Sequence, residues 1–470
     1  YKFNVTSWSN YSLSGCGDGV ENNGETYATC PSDVSAPTGG TTTTTGGGAA
    51  SFIGSDFSIV GAVTVGAGNI SIAESTSSTT LALGSASGAI LSDSELDNIT
   101  TTGTLTIGQA TTKGSDGAGT SATTLTSGAI TSDGLSLGSK KLALVSNSTV
   151  DLGSLTTTGT LSVTSSGAIT DSGALAITGT TTIAAGSGNN ITLDNTSNNF
   201  TGAVSITSGN NVTLVDAGAI VLGASTVSGT YAVTATAGGD ITDTGVLAIT
   251  GASTLTVANG QSITLDSSST FGGAVSFASG GTIAGVTIND SGAFDLAALT
   301  ISGSLSVTAG GAVTDSGTLV VPGTATISAS GQNITLDQAS SNFGTVVLTG
   351  ANVAVTDTNA VILGASTVSG TYAITAGGAV TDSATQEITG ATTISASGQD
   401  VTLNTSTNNF AAAVGITGAN VAVTDEDAID LGASTVSGTY AITAGGAVTD
   451  SGTQEITGAT TISASGQDVT

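Results

Sequence analysis

The chain has 470 residues, among which 4 basic residues face 33 acidic ones, histidine is absent, and the formal net charge is −29. Such a charge repels nucleic acids and anionic membrane surfaces, because too few cationic groups are present to neutralise phosphates. Only 8% of the residues are charged, and aliphatic residues recur at regular intervals, so the composition favours a folded repeat over a disordered acidic chain.

The first residues differ from the rest of the chain in being rich in aromatic side chains. Tyr1, Phe3 and Val5 alternate with polar residues, and Trp8 follows shortly after. This alternation predicts a β-strand. We consider two roles for it: an assembly strand that adds to the edge of a neighbouring subunit, and a cap on the first coils of its own chain.

Next comes a short loop that contains both cysteines of the chain. Cys16 and Cys30 lie close together in an otherwise cysteine-free sequence, which predicts a disulfide and an exported protein. The loop also carries four residues with oxygen ligands that suit Ca²⁺: Asp18, Asn22, Asn23 and Glu25. Two interpretations stay open here, a calcium loop and a disulfide-bonded cap with solvated acids.

We divide the chain into an N-terminal module (1–35), a Gly/Thr-rich linker (36–51) and a repetitive rod (52–470). Within the rod, Leu363–Thr402 and Leu431–Thr470 differ only at Ala384, which is Gly452 in the second copy. Since the last copy stops in the middle of a repeat, we expect further units beyond residue 470.

Short β-branched segments separated by Gly, Asn, Asp or Ser recur through the rod, and no helical periodicity of useful length is present. The pattern predicts an all-β fold, a right-handed parallel β-helix (β-solenoid). We expect coils of about 20–27 residues, with three coils in each repeat of roughly 70 residues. Each coil buries a few aliphatic side chains and needs its neighbours to complete the core.

Aspartates follow the same rhythm, and we call them the repeat turn ladder. Like charges stacked from coil to coil repel one another, so either the side chains cap turn N–H groups and point into water, or Ca²⁺ bridges adjacent coils. We favour turn capping, because Asn404 takes one position of the series. The ladder comprises Asp171, Asp194, Asp216, Asp243, Asp266, Asp290, Asp315, Asp337, Asp357, Asp382 and Asp425.

A single phenylalanine follows an Asn- or Ser-rich turn in each repeat. One aromatic residue per repeat predicts an internal stack in the core rather than a sugar-binding platform. The four residues are Phe200, Phe271, Phe343 and Phe410.

Two resemblances add to this interpretation. The segment Ser304–Asp337, "SLSVTAGGAVTDSGTLVVPGTATISASGQNITLD", resembles the repeats of filamentous-haemagglutinin-like adhesins and of other large microbial surface proteins. That resemblance implies a β-helical rod at the cell surface. The segment Cys16–Asp33, "CGDGVENNGETYATCPSD", resembles a small cysteine-framed module of exported microbial proteins.

These observations predict an extracellular structural and adhesive protein, a stiff stalk or filament subunit of a surface appendage. Periodic acids and the lack of histidine and arginine argue against an enzyme, so we expect no cofactor other than the Ca²⁺ considered above. The expected partners are further copies of the chain, other cell-surface components and host-cell or surface glycans, with no nucleic acid and no membrane insertion. The alternatives are a structural sheath or fibre without a receptor and, less favoured, a polysaccharide-active β-helix enzyme.

Overall fold

A computed structural model describes residues 2–5, 42–43, 49–54, 56–59, 61–74, 76–111 and 124–470. The predicted all-β solenoid is confirmed: nearly all of the described strands are short and pair in parallel with strands about one coil away in sequence. The chain divides into two compact units, Tyr1–Gly251 and Ala252–Thr470. No helix in the described residues is long and apolar enough to cross a membrane.

In the first unit the described strands are Lys2–Val5, Thr42–Thr43, Ala50–Gly54, Asp56–Ile59, Val63–Gly66, Ile70–Glu74, Leu81–Gly84, Ile99–Thr101, Thr104–Ile107, Gln109–Thr111, Thr124–Thr126, Ile130–Asp133, Leu135–Ser136, Lys141–Val145, Val150–Asp151, Leu155–Thr157, Leu161–Thr164, Ile169–Thr170, Leu175–Ile177, Thr181–Ala184, Ile191–Leu193, Asn199–Phe200, Val204–Ser208, Val212–Asp216, Ile220–Leu222, Ser225–Val227, Tyr231–Ala235, Ile241–Asp243 and Leu247–Ile249.

In the second unit the strands are Ser253–Val257, Ile263–Phe271, Val275–Ser279, Val286–Asp290, Phe294–Leu296, Leu299–Thr300, Leu305–Ala309, Val313–Asp315, Leu319–Ser328, Ile334–Leu336, Asn342–Gly350, Val353–Asp357, Val361–Leu363, Ser366–Val368, Tyr372–Ala376, Val380–Asp382, Gln386–Ile388, Thr392–Ser395, Val401–Leu403, Asn409–Phe410, Val414–Gly418, Val421–Asp425, Ile429–Leu431, Ser434–Val436, Tyr440–Ala444, Val448–Asp450, Gln454–Ile456 and Thr460–Ala464.

Alternation of side chains along each strand builds the core. In Ile334–Leu336 the two aliphatic side chains are buried and the central threonine is half-buried on the outer side. The same pattern recurs in Val353–Asp357 and Val401–Leu403. Because successive side chains of a strand point to opposite faces, each three-residue strand contributes one or two aliphatic groups to an interior that its neighbours in the stack complete.

Strands that pair from one coil to the next form columns along the stack. Val353 pairs with Tyr372, Tyr372 with Thr392, and Thr392 with Val414, so three coils take 61 residues here, from 353 to 414. The segment that repeats the sequence of Val353–Asp357 is Val421–Asp425, which lies one strand further along the chain. A repeat is therefore one strand longer than three coils.

Two local features depart from parallel strands. Asp93–Asp97 is the one α-helix in the described residues, and it begins with a capping box formed by Ser92 and Glu95. Gln109–Thr111 pairs with Thr124–Thr126 in antiparallel fashion. Both features precede the regular repeats and lie in the part of the rod where the sequence pattern is weakest.

Strand pairing in the first unit reaches into the segment that we interpreted as a linker. Thr42–Thr43 pairs in parallel with residues 63–64, and Ala50–Gly54 pairs with Ile70–Glu74. At these positions the chain already pairs with strands of the stack. Ala50–Gly54 reaches the core through Phe52, which is 4% exposed.

Candidate functional site

The feature that recurs in the repeats is a buried aspartate at the end of a strand column. Asn199–Phe200 is the last strand of a four-stranded parallel sheet, so no strand of the next coil pairs with it. Asp216 takes the place of that strand, because its Oδ2 accepts a hydrogen bond from the backbone N–H of Phe200 at 2.6 Å. Its Oδ1 accepts the N–H of Gly218, also at 2.6 Å. The second bond spans two residues, the geometry of an Asx turn.

Three further aspartates make the same pair of bonds. Asp290 accepts N–H groups from Phe271 and Gly292, Asp357 from Phe343 and Asn359, and Asp425 from Phe410 and Asp427, at N···O distances between 2.5 and 3.3 Å. We call these three residues, together with Asp216, the column-end aspartates: Asp216, Asp290, Asp357 and Asp425. All are buried. Each stands where the next coil would otherwise have supplied a carbonyl acceptor.

A second kind of aspartate holds the loop that leads into the phenylalanine. Asp382 accepts the N–H groups of Asn404 and Thr405 at 3.0 and 3.1 Å, and its Oδ2 accepts the side-chain amide of Asn408 at 2.6 Å. Asn408 is fully buried, and its Oδ1 accepts the N–H of Gln386 at 2.8 Å. The loop before Phe410 is thus fixed to the coil below it by side chains.

Asp171 makes the corresponding bonds in the first unit, to the N–H groups of Asp194 and Asn195 and to the amide of Asn198. In a third copy Ser341 replaces the asparagine, and Asp315 keeps its bond to the N–H of Asp337 at 2.9 Å. Three different sequences therefore support the same loop.

Burial shapes the electrostatics of these carboxyl groups. Desolvation raises the pKa of six of them above the ordinary value of an aspartate, and the hydrogen bonds from N–H groups oppose this shift without cancelling it. The six residues are Asp171, Asp216, Asp290, Asp315, Asp357 and Asp425. The oxygens of these groups bond mainly to backbone N–H groups, and within the described residues no cluster of three or more Asp, Glu, His or Cys side chains is arranged to hold a metal ion.

The expectation that the ladder aspartates point into water is wrong for seven of the eleven. Asp171, Asp216, Asp243, Asp290, Asp315, Asp357 and Asp425 are buried. Asp194, Asp266 and Asp337 are exposed, and Asp382 is half-buried. For the four column-end aspartates the reason is that a carboxylate can only accept the N–H groups at a column end by turning inward. The ladder is thus not one stack of equivalent side chains.

The other predicted residues are placed as follows. Phe200, Phe271, Phe343 and Phe410 are all buried in the core. Cys16, Cys30, Asp18, Asn22, Asn23, Glu25, Tyr1 and Trp8 lie outside the described residues, so the disulfide and the calcium loop stay predictions. Phe3 and Val5 belong to the strand Lys2–Val5, which pairs in parallel with Asp56–Ile59 of the same chain.

Sequence reasoning missed a second ladder of side chains, made of amides at another corner of the coil. Asn352 Oδ1 accepts the N–H of Thr371 at 3.0 Å, and Asn420 Oδ1 accepts the N–H of Thr439 at 3.1 Å. Asp400 in turn accepts the N–H of Asn420. The signal for this ladder is an Asn or Asp immediately before a strand, repeated at a spacing of about one coil.

Side-chain caps that recur with the sequence period, on columns of short parallel strands, define a β-solenoid repeat protein. The chain belongs to the family described as repeats of unknown function (DUF5649), whose model matches residues 138–207, 209–278, 284–349, 350–417 and 418–470. Comparison of the chain with curated proteins and with solved structures finds no match.

Proposed function

We propose that the chain is a structural and adhesive stalk, or filament subunit, on the outside of a cell. The observation that carries this proposal is the recurrence of the same column-end bond in the repeats: Asp216, Asp290, Asp357 and Asp425 each accept the N–H of the repeat's phenylalanine. A catalytic group is needed once and in an open cleft, whereas these carboxyl groups are buried, recurrent and bonded to backbone. Their common role is to let one repeat follow another.

The solenoid surface supports the same proposal. Outward positions of the strands are mostly Thr, Ser and Ala, as in Val353–Asp357 and Tyr372–Ala376. Ion pairs contribute little, since the one between the described residues joins Lys140 and Asp97 at 3.8 Å. We infer an extracellular location from the acidic, lysine-poor composition and from the resemblance to surface adhesins, and we propose surface glycans and other copies of the chain as partners.

A receptor-free fibre is the second candidate, and the N-terminal strand bears on it. Lys2–Val5 pairs with Asp56–Ile59 of its own chain, the arrangement expected of an intramolecular cap. Assembly into a fibre by strand addition would need this strand to leave that site and pair with the same edge in a second copy. If the strand assembles a fibre, deletion of residues 1–35 should abolish end-to-end polymers. If the strand is a cap, the same deletion should loosen only the first coils.

A deletion in phase with the repeat tests the stalk proposal. Removal of residues 363–430 joins Ile362 to Leu431, which begins a copy of the sequence that Leu363 begins. The product should fold, and a little over three coils at about 4.8 Å each should shorten the stalk by about 15 Å. Removal of residues 363–402 is the control, because it joins Ile362 to Leu403, which is not equivalent to Leu363.

Both variants are expressed in the source organism and compared by surface labelling of intact cells, by electron microscopy of the appendage and by attachment to a glycan-coated surface. The proposal expects label outside the cell, a shorter appendage for the in-phase variant, and loss of attachment in a strain without the protein. Label confined to the cell interior would refute the stalk, while unchanged attachment without the protein would leave only the receptor-free fibre.

A further inference from the structure

Four asparagines share one place in the fold and one sequence pattern. Each stands immediately before the first residue of a strand, is exposed, and begins an Asn-x-Ser/Thr acceptor sequence for N-linked glycans. We call them the corner asparagines: Asn69, Asn190, Asn211 and Asn333. The strands that follow them are Ile70–Glu74, Ile191–Leu193, Val212–Asp216 and Ile334–Leu336.

Hydrogen bonds fix which way each amide faces. Asn211 Oδ1 accepts the backbone N–H of Thr230 in the next coil at 3.0 Å, and Asn190 Oδ1 accepts the N–H of Asn211 at 3.3 Å. Asn69 accepts the N–H of Thr104 and Asn333 that of Asn352 in the same way. Since a backbone N–H can only donate, the side-chain oxygen must face the stack. The Nδ2 group lies on the opposite side of the amide, and in the described part of the chain it donates no hydrogen bond.

The hydroxyl residue of each acceptor sequence lies on the same side as its asparagine. In Asn190-Ile-Thr192 the isoleucine is buried, while the residues on either side of it are exposed and half-buried. Strand alternation produces this arrangement, because residues two apart point to the same face. Asn211-Val-Thr213 and Asn333-Ile-Thr335 repeat it.

We propose that the corner asparagines carry N-linked glycans. In the reaction, the Asn Nδ2 attacks the anomeric carbon of a lipid-pyrophosphate-linked oligosaccharide. A C–N bond forms, the bond from that carbon to the pyrophosphate oxygen breaks, the lipid pyrophosphate leaves with the bonding electrons, and the amide loses one proton. The fold accommodates the product because Oδ1 keeps its bond to the next coil while the glycan extends from Nδ2 into water.

Two other acceptor sequences in the described part of the chain lack this geometry. Asn98 is half-buried, and its Nδ2 donates to the backbone carbonyl of Ile59 at 2.7 Å. Asn289 donates from Nδ2 to the carbonyl of Asp266 at 3.2 Å. A glycan at either position would break an existing bond and push the chain away from its neighbour, so we expect these two positions to be unmodified in the folded protein.

The chain also contains natural controls for the acceptor sequence. Asn352 and Asn420 occupy the same corner and make the same bond to the next coil, but Ala354 and Ala422 stand where the acceptor hydroxyl would be. Alanine at this outward position is thus compatible with the fold. Thr213→Ala should therefore remove the glycan at Asn211 and leave the coil intact, and Thr213→Ser should retain it.

The experiment is glycopeptide mass spectrometry on protein isolated from its source organism, with the intact mass measured before and after chemical removal of glycans. The expected result is glycan at the four corner asparagines, none at Asn98, Asn289, Asn352 or Asn420, and loss of the Asn211 glycan in Thr213→Ala but not in Thr213→Ser. If the peptides that contain the corner asparagines are found only in unmodified form, the proposal is overturned. Equal occupancy at Asn98 would overturn the role of amide orientation. Because attachment to surfaces is not measured, failure here leaves the stalk proposal standing.

Discussion

Removal of a column-end aspartate tests whether these buried carboxyl groups hold the repeats together. Asp216 is fully buried, and its two oxygens accept the N–H groups of Phe200 and Gly218, both at 2.6 Å. Asp216→Ala leaves both donors without a partner at a place where water has little access. Each buried donor left unsatisfied costs about 1–3 kcal/mol.

Two such donors give a gross cost of about 4 kcal/mol by the same scale, from which the relief of carboxylate desolvation is subtracted. We expect a net loss of about 2–3 kcal/mol in the free energy of unfolding, because the substitution removes the desolvation cost of the carboxylate together with its hydrogen bonds. Asp216→Asn should fall between wild type and alanine, because the amide keeps one acceptor and turns an NH₂ group towards one of the donors.

The matched control is Asp194, which is exposed and whose position in another repeat is taken by Asn404. Asp194→Ala should change stability by less than about 0.5 kcal/mol, as surface substitutions usually do. Because coils contact mainly their neighbours, hydrogen exchange measured peptide by peptide is the appropriate assay. Faster exchange should be confined to the coils around Phe200 in Asp216→Ala. Equal protection in the two variants would refute the reasoning.

Two more predictions concern backbone packing and pH. A Cβ at Gly390 would lie 2.3 Å from the carbonyl oxygen of Gly370 in the coil below, whereas Gly398 has open space around it but a φ of +73°. Gly390→Ala should therefore lower the free energy of unfolding, measured with denaturant, by about 3 kcal/mol or more. Gly398→Ala should lower it by only about 1 kcal/mol, because of the backbone conformation at that position. Equal losses in the two variants would contradict close contact between the coils. Burial raises the pKa of the column-end aspartates in the folded state. Above a pH of about 4, these groups therefore bind more protons in the folded chain than in the unfolded chain. Their contribution to the free energy of unfolding should fall as the pH rises through the raised pKa values. A midpoint of urea unfolding that declines steadily from pH 7 to pH 4 would contradict this sign.

The fold could be predicted from sequence because its determinants are local and repeated. Short runs such as Val353–Asp357 carry β-branched residues with a period of two, and Gly, Asn and Asp mark the turns between them. Repetition then multiplies a weak signal. The buried phenylalanines followed from the same logic, because one large apolar group in each repeat has no other place to go than the core.

The orientation of the aspartates could not be predicted in this way. Asp194 directly follows the short strand Ile191–Leu193 and Asp216 ends the short strand Val212–Asp216, yet the first is exposed and the second is fully buried. What distinguishes them is whether the neighbouring column continues, and that depends on pairings between residues about 20 positions apart. A spacing pattern cannot show that the column of Phe200 ends. It can only show that some acidic residue stands nearby.

A repeat that is one strand longer than three coils has a consequence for any partner. Tyr372 and Tyr440 have the same sequence around them, yet Tyr372 pairs in the column of Val353 and Val414, while Tyr440 pairs in the column of Val401 and Val421. Identical surface residues in successive repeats therefore face different directions. A flat array of one motif on one face, as a crystalline or sheet-like ligand would need, cannot arise from such copies. Presentation of the same surface on several sides is what the proposed stalk would need in order to meet partners from any direction.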